Sequence, residues 1–405
     1  MEAFHGQFYM RGEFREKYVV VDRGVIVDIK DEKPDTSVTS IPGHVLPGGV
    51  DMHVHFRDPG ENEKEDFRTG SLSAISGGTT TVCDMPNNRI PITDITTFRS
   101  KLSAIGSRSF VDFGLYQAAS KEIVPDAIGQ KIFLGKSTGG LLTEVDKCIW
   151  QDKVKVVHGE LQECIENNAR ENDSLVSHDM SRPLECELEA IEGMFKFRLE
   201  KVHMAHLTSL RSLEFAKSLG FTTEVTPHHI LLNSSANISS LGKVNPPLRK
   251  KSIQEELLGN LESRAIDVIA SDHAPHTLKD KEVFRDAPSG LPGVETRVPL
   301  ILSSYRKGLI SLKKAISSMM ERPAEICRIN KGYIEKGFDA DFISINFREI
   351  GRIKGEDLHS KCGWTPFENF EGIFPKLVFL RGELVVQEGE AVSSSSGVFL
   401  NAKEQ

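Results

Sequence analysis

From about residue 45 to 275 the chain alternates short apolar runs with longer segments whose apolar residues recur at helical spacing, and this rhythm constrains the fold more than any other feature. The strand-like runs are the segment ending at His55, then Thr79–Cys83, Phe110–Leu115, Lys131–Leu134, Val154–His158, Val202–His206, Thr222–Val225 and Val268–Ser271. Between them, Asp94–Ile105, Pro183–Glu200 and Leu210–Leu219 set apolar residues beside charged ones as amphipathic helices do. Parallel strands need a crossover long enough to hold a helix, so this alternation predicts an α/β fold with a parallel sheet. Eight such units predict a closed (β/α)8 barrel of the TIM type, with helices outside. An open doubly wound sheet is the rival topology.

The ends of the chain have a different texture. Tyr18–Val21 and Val25–Ile29 flank the turn residues Asp22-Arg-Gly24 and read as a hairpin, and strands return at Gly337–Ile343 and Leu377–Val386. Strands at both termini but not between them predict one small discontinuous β domain. The expected division is therefore 1–43 and 337–405 for that domain and 44–336 for the barrel. Within the latter, Ala274–Gly293 is rich in Pro and Gly, and reads as an active-site loop.

Composition narrows the function classes. A net charge of -8 and a pI near 6.0 give no global reason to bind nucleic acid. No apolar run is long enough to cross a membrane, and Met1-Glu-Ala-Phe-His-Gly lacks the basic lead and apolar stretch of a secretory signal, so the expected compartment is the cytoplasm. The six cysteines are dispersed and form no Cys-x-x-Cys pair, which predicts reduced, packed thiols.

Metal-capable side chains collect at the ends of the predicted strands. His53 and His55, in Asp51-Met-His-Val-His-Phe-Arg-Asp-Pro-Gly60, are two apart and share one side of a strand. His158 and His206 close two later strands, and Asp272 follows another. A single histidine after a strand is ordinarily structural; several at the strand ends where barrel enzymes keep their chemistry are not. Four histidines and one aspartate can hold two zinc ions, which need a shared anion to lessen their repulsion. Lys131 is the unusual candidate, because carbon dioxide can convert its amine into a bridging carboxylate. Gly135-Lys-Ser-Thr-Gly-Gly140 lacks the full phosphate-loop spacing.

Several blocks together resemble the dihydroorotase family of the amidohydrolase superfamily: Asp51–Gly60, Thr79-Thr-Thr-Val-Cys-Asp-Met-Pro-Asn-Asn88, Glu224-Val-Thr-Pro-His-His229, Lys243-Val-Asn-Pro-Pro-Leu-Arg249 and Ile269-Ala-Ser-Asp-His-Ala-Pro-His276. The resemblance runs from about Gly43 to Ile329. It implies that His53, His55 and Asp272 bind one zinc, that His158 and His206 bind a second, and that carboxylated Lys131 bridges them. It implies a substrate pocket in which Arg57 takes a carboxylate, with Asn87, Asn245 and His276 beside it and the backbone of Pro292 and Gly293 at the ring. Ser137 or Thr138 could close over the substrate. The implied reaction is reversible zinc-dependent cyclisation of N-carbamoyl-L-aspartate to L-dihydroorotate, with Asp272 as proton shuttle, in pyrimidine biosynthesis by a homodimer. Allantoinase or hydantoinase chemistry is the runner-up, and a non-catalytic scaffold would have shed these ligands. His228 and His229 are expected to support neighbours rather than bind metal, while His178, His203 and the other histidines have a structural reading. Asp58 and Glu61 are expected to be solvated or to orient neighbours.

Overall fold

The computed structural model describes residues 1–137, 140–394 and 396–402. Thr138 therefore lies outside the described residues.

Two parallel ladders carry the centre of the chain. In the first, β5 (Gly49–Val54), β6 (Thr79–Asp84) and β7 (Asp112–Leu115) pair in order. The second runs β8 (Gln117–Ala118), β9 (Gly129–Phe133), β10 (Val154–His158), β11 (Val202–Met204), β12 (Thr222–Val225) and β13 (Val268–Ile269). Only Tyr116 separates β7 from β8. At the other side Val54 bridges His273 in parallel, and the His55 amide donates to the His273 carbonyl at 2.7 Å, so the first strand of the series meets the segment that follows the last. Apart from His158 and Thr222 the residues of these strands are buried, as parallel strands covered on both faces must be.

Most helices start at a residue suited to the task. Asp66 caps α1 (Phe67–Ser76) and Asp94 caps α2 (Ile95–Ile105), each in a reciprocal capping box. After β10 come α3 (Gln162–Asn167), α4 (Leu175–Ser181, capped by Ser174) and α5 (Leu184–Lys196). The predicted helix 183–200 is thus shorter than its pattern. Pro183 stands before its first turn, and Arg198 and Lys201 adopt φ 52° and 56°, which turn the chain into β11. The remaining helices are α6 (Leu210–Ser218), α7 (Pro227–Leu231), α8 (Lys251–Leu258), α9 (Val294–Arg306), α10 (Leu312–Ile316) and α11 (Arg322–Cys327).

Strands from both ends of the chain share one sheet. β1 (Glu2–Met10), β2 (Glu13–Asp22), β3 (Val25–Lys30) and β4 (Val38–Pro47) join β14 (Phe342–Ile345), β17 (Leu377–Leu380), β18 (Glu383–Gln387) and β19 (Glu390–Ala391). The short β15 (Gly351–Arg352) and β16 (Glu371–Gly372) form a separate ribbon. Lys331 ties this sheet to the parallel strands: its buried ammonium lies 2.6 Å from Asp112 of β7, 2.7 Å from Asp339 and 3.0 Å from Asp341.

Arg297 of α9 closes the interior beneath the functional end. Fully buried, it donates to the Val50 and Ile269 carbonyls at 3.1 and 3.0 Å and to Thr79 Oγ1 at 3.1 Å, with Asp51 at 3.4 Å. A buried guanidinium persists only when its donors are used in this way.

The cysteine expectation needs correction. Cys164 of α3 and Cys186 of α5 form a disulfide, with Cα atoms 5.3 Å apart at a sequence separation of 22. Their spacing carries no signal, because it is the return of the chain after α4 that brings them together. Cys83, Cys327 and Cys362 are packed free thiols, as expected. Of the two expectations for Asp58, solvated or orienting neighbours, the second fits: it is buried, pairs with Arg108 at 2.7 Å and accepts from the Phe67 amide.

Candidate active site

A cavity of about 170 Å³ opens at the C-terminal ends of the parallel strands and is walled by His53, His55, Arg57, Asn87, Lys131, His158, His206, Asn245 and Asp272. Strand geometry explains the convergence: alternate residues share a face, so β5 aims His53 inward, and the loop following it brings His55 and Arg57. Arg57, His206 and Asp272 adopt left-handed φ values of 60°, 39° and 48°. Non-glycine residues in that region are held there by their surroundings, and such positions cluster at functional sites.

The first group is His53, His55 and Asp272, whose ligand atoms lie within 4.8 Å of one another. His53 Nδ1 meets Glu224 Oε1 at 2.7 Å, and His55 Nδ1 meets Asn87 Oδ1 at 2.7 Å. Both partners are acceptors, so each Nδ1 carries the proton and each Nε2 is left with a lone pair. These two Nε2 atoms stand 3.4 and 3.1 Å from Asp272 Oδ1. Burial lowers the pKa of His55 to about 4, which keeps its ring neutral. Burial would raise that of Asp272, but His53, His55 and His206 hold it well below the usual carboxylate range.

The second group is His158 and His206. Glu160, fully buried and gripped by Arg182 at 2.8 Å, takes His158 Nε2 at 3.1 Å. His158 Nδ1 then faces His206 Nε2 at 3.0 Å, and His206 Nδ1 is buried without a hydrogen-bond partner among the described residues. Lys131 Nζ lies 3.4 Å from His53 Nε2, with no carboxylate in ion-pair contact among the described residues, and burial brings its pKa down to about 8. Two neutral imidazoles with a carboxylate, each ring locked through its other nitrogen, fit a divalent metal of the zinc type.

The residues expected to face a substrate divide. Arg57 Nη2 donates to His276 Nε2 at 3.0 Å and its Nε to the Pro275 carbonyl at 3.3 Å. Asn87 lines the cavity, yet both ends of its amide are engaged, Oδ1 by His55 and Nδ2 by Ser137 Oγ at 3.0 Å. Asn245 also lines the cavity. Pro292 and Gly293 do not line the cavity; Pro288, Ser289 and Gly290 do, and the Gly293 amide donates to His273 Nδ1 at 3.1 Å instead. Gly290 has φ 139°, and a Cβ there would sit 2.4 Å from the Ala274 carbonyl, so this wall requires glycine. His229 ties Thr226 to the Pro246 carbonyl and supports the loop.

Three supporting side chains were not singled out from sequence. Glu224 accepts from His53, from His203 Nε2 at 3.3 Å and from the His206 amide at 3.0 Å, so one carboxylate organises both histidine groups. Glu160 follows His158 as His-x-Glu, a spacing that could have flagged it. Arg182 carried no signal, since the turn that delivers it is tertiary.

The chain belongs to the amidohydrolase family, whose model matches residues 44–385. Among solved structures, the L-hydantoinase (dihydropyrimidinase) of Arthrobacter aurescens superposes with a TM-score of 0.90 at 25% identity, covering 98% of this chain and 99% of that one. The dihydropyrimidinase of Brevibacillus agri, at 21% identity and a TM-score of 0.86, shares the fold over 98% of each chain. Within the family the sequence falls with the dihydroorotases. The curated dihydroorotase of Thermoplasma volcanium is 44% identical over 98% of this chain and 97% of its own length. That of Methanosarcina acetivorans is 34% identical over 96% and 92%.

Proposed function

We propose that the protein catalyses the reversible hydrolysis of L-dihydroorotate to N-carbamoyl-L-aspartate, with ring closure as the biosynthetic direction. The observation that carries this reading is Arg57. Its guanidinium is buried on the cavity wall, and among the described residues no carboxylate lies within ion-pair distance of it. A buried cation without a counter-ion is costly unless a ligand supplies one, and a planar fork suits a carboxylate. Dihydroorotate carries that carboxylate; hydantoin and allantoin do not.

Zinc bound by His53, His55 and Asp272 would polarise the ring carbonyl and make water acidic enough to attack near neutral pH. A second ion at His158 and His206 belongs to the same reading. Lys131 supports a bridge between them: its amine reaches the neutral form, can bond to the carbon of carbon dioxide and lose one proton, and would then carry the shared negative charge. Asp272 accepts the proton of the attacking water as the new C–O bond forms. It then delivers that proton to the ring nitrogen as the C–N bond breaks. Arg57 holds the carboxylate, with His276 backing its Nη2 at 3.0 Å, and the 288–290 segment lines the same cavity.

In this reading the parallel strands form a closed (β/α)8 barrel over 44–336, and the sheet from 1–43 and 337–405 is a separate small domain. The family resemblance also carries a homodimer, which sedimentation would read. The central test compares metal-loaded protein on dihydroorotate, hydantoin and allantoin. Turnover of dihydroorotate above the other two is expected, and its absence would overturn the assignment.

A further inference from the structure

The excursion between β10 and α5 carries α4 beside the cavity, yet contributes no residue to its described wall. What it contributes is a contact to a wall residue. His178 of α4 places Nε2 2.9 Å from the Val244 carbonyl and 3.0 Å from Asn245 Oδ1. A backbone carbonyl can only accept, so Nε2 bears the proton. On the other side of the ring Asn172 Nδ2 lies 3.0 Å from Nδ1, which therefore accepts. Both ring nitrogens are committed, and burial brings the pKa down to about 4, so the ring stays neutral near pH 7. Next to it, Asp179 pairs with Arg249 at 2.9 Å, so α4 grips the 244–249 segment at two points.

The consequence falls on Asn245. A side-chain amide free to rotate presents its oxygen or its NH2 to a ligand with nearly equal ease. Here Oδ1 is held by the His178 N–H, and Nδ2 has no protein hydrogen bond among the described residues. We propose that His178 is a positioning residue that fixes Asn245 as a hydrogen-bond donor to the cavity, so that the bound ring must offer an acceptor there, a carbonyl oxygen of a cyclic ureide rather than a ring N–H. The proposal rests on the cyclic-amide reading above. It makes α4 a specificity element although it touches no substrate.

The test is a mutant cycle on metal-loaded protein, with metal content and thermal midpoint measured for each variant. The substrate is dihydroorotate, or, if the wild type does not turn it over, whichever of hydantoin, dihydrouracil and allantoin it hydrolyses fastest. Failure of the dihydroorotate assignment is thus read on the wild type, before any variant. Loss of one donor to the substrate is expected to raise KM about 3- to 10-fold in Asn245→Ala, with a smaller change in kcat. His178→Ala should do the same, and the double variant should be no worse than Asn245→Ala alone. His178→Gln, whose amide nitrogen reaches the place of Nε2, should restore KM; His178→Asn, which reaches only the place of Nδ1, should not. The proposal is overturned if His178→Ala raises KM as much in the Asn245→Ala background as in the wild type, or if the glutamine variant is no better than the asparagine one. Should His178→Ala fail to fold, the comparison of glutamine with asparagine decides the matter by itself.

Discussion

Glu224 is the residue whose loss should distinguish a metal-organising role from ordinary packing. It is fully buried and accepts from His53 Nδ1 at 2.7 Å, the His206 amide at 3.0 Å and His203 Nε2 at 3.3 Å. In Glu224→Gln the side-chain oxygen can still serve His53 and the His206 amide. The new NH2 can face His203, whose Nδ1 lies 3.0 Å from the Thr222 hydroxyl and can exchange tautomer with its Nε2. The fold should survive, but His53 loses the carboxylate that raises its basicity. Substitutions of this kind weaken metal binding about 10- to 100-fold. Glu224→Ala is a different perturbation: it strands three buried donors at about 1–3 kcal/mol each, or roughly 3–9 kcal/mol in all. That is a large share of the about 5–15 kcal/mol that holds a typical domain folded. The assay is competition for zinc with a chromophoric chelator, alongside urea unfolding of the metal-free protein. Glu224→Gln should lose metal affinity with an unchanged urea midpoint, while Glu224→Ala should lose both. Wild-type zinc affinity in Glu224→Gln would refute the reasoning, since the carboxylate charge would then do nothing for the ligand it touches.

Arg57→Met should raise KM for dihydroorotate by about 100-fold or more, because a charged hydrogen bond is worth about 1.5–3 kcal/mol and a bidentate one more, yet leave weak turnover of neutral hydantoin unchanged; parallel kinetics on the two substrates check it. Lys131 should carry the mass of one added carbon dioxide by native mass spectrometry of protein kept in bicarbonate, and lose it on acidification; a bare lysine in fully metallated, active protein would defeat the bridge. Cys164→Ser should cost about 3 kcal/mol of stability, from opening a loop of 22 residues, read as a lower urea midpoint than the oxidised wild type. The metal-free protein should be acid-sensitive: His178 and His229 are each lowered to about 4 by burial, against about 6.5 when unfolded. Only the unfolded chain then binds these protons between pH 6.5 and 4, so stability is full above that window and falls by about 3 kcal/mol per histidine across it, which urea midpoints measured through the window would show.

The alternation of strand and helix, and the metal-capable side chains at the strand ends, were legible because both rest on local periodicity. A strand of period 2 puts His53 on the inner face whatever its neighbours do, and Val154–His158 ends where the run of β-branched residues ends. Boundaries were less legible. The Val202–His206 run stops at Met204 because His206 turns to φ 39° to bring its ring beside His158, a demand set across strands. The cavity is lined at 288–290, with 292 and 293 outside that lining, because this irregular loop is shaped by its packing on Ala274 and His273.

The sequence by itself determined which side chains have metal chemistry and which way the strands present them, since residue type and strand parity are local properties. Only the tertiary structure decided how those side chains are held. The Glu224 carboxylate under His53, the Glu160–Arg182 pair behind His158, the Cys164–Cys186 crosslink and the His178 contact to Asn245 each join residues from different elements. No local pattern encodes such meetings, because they depend on where loops return after each parallel strand.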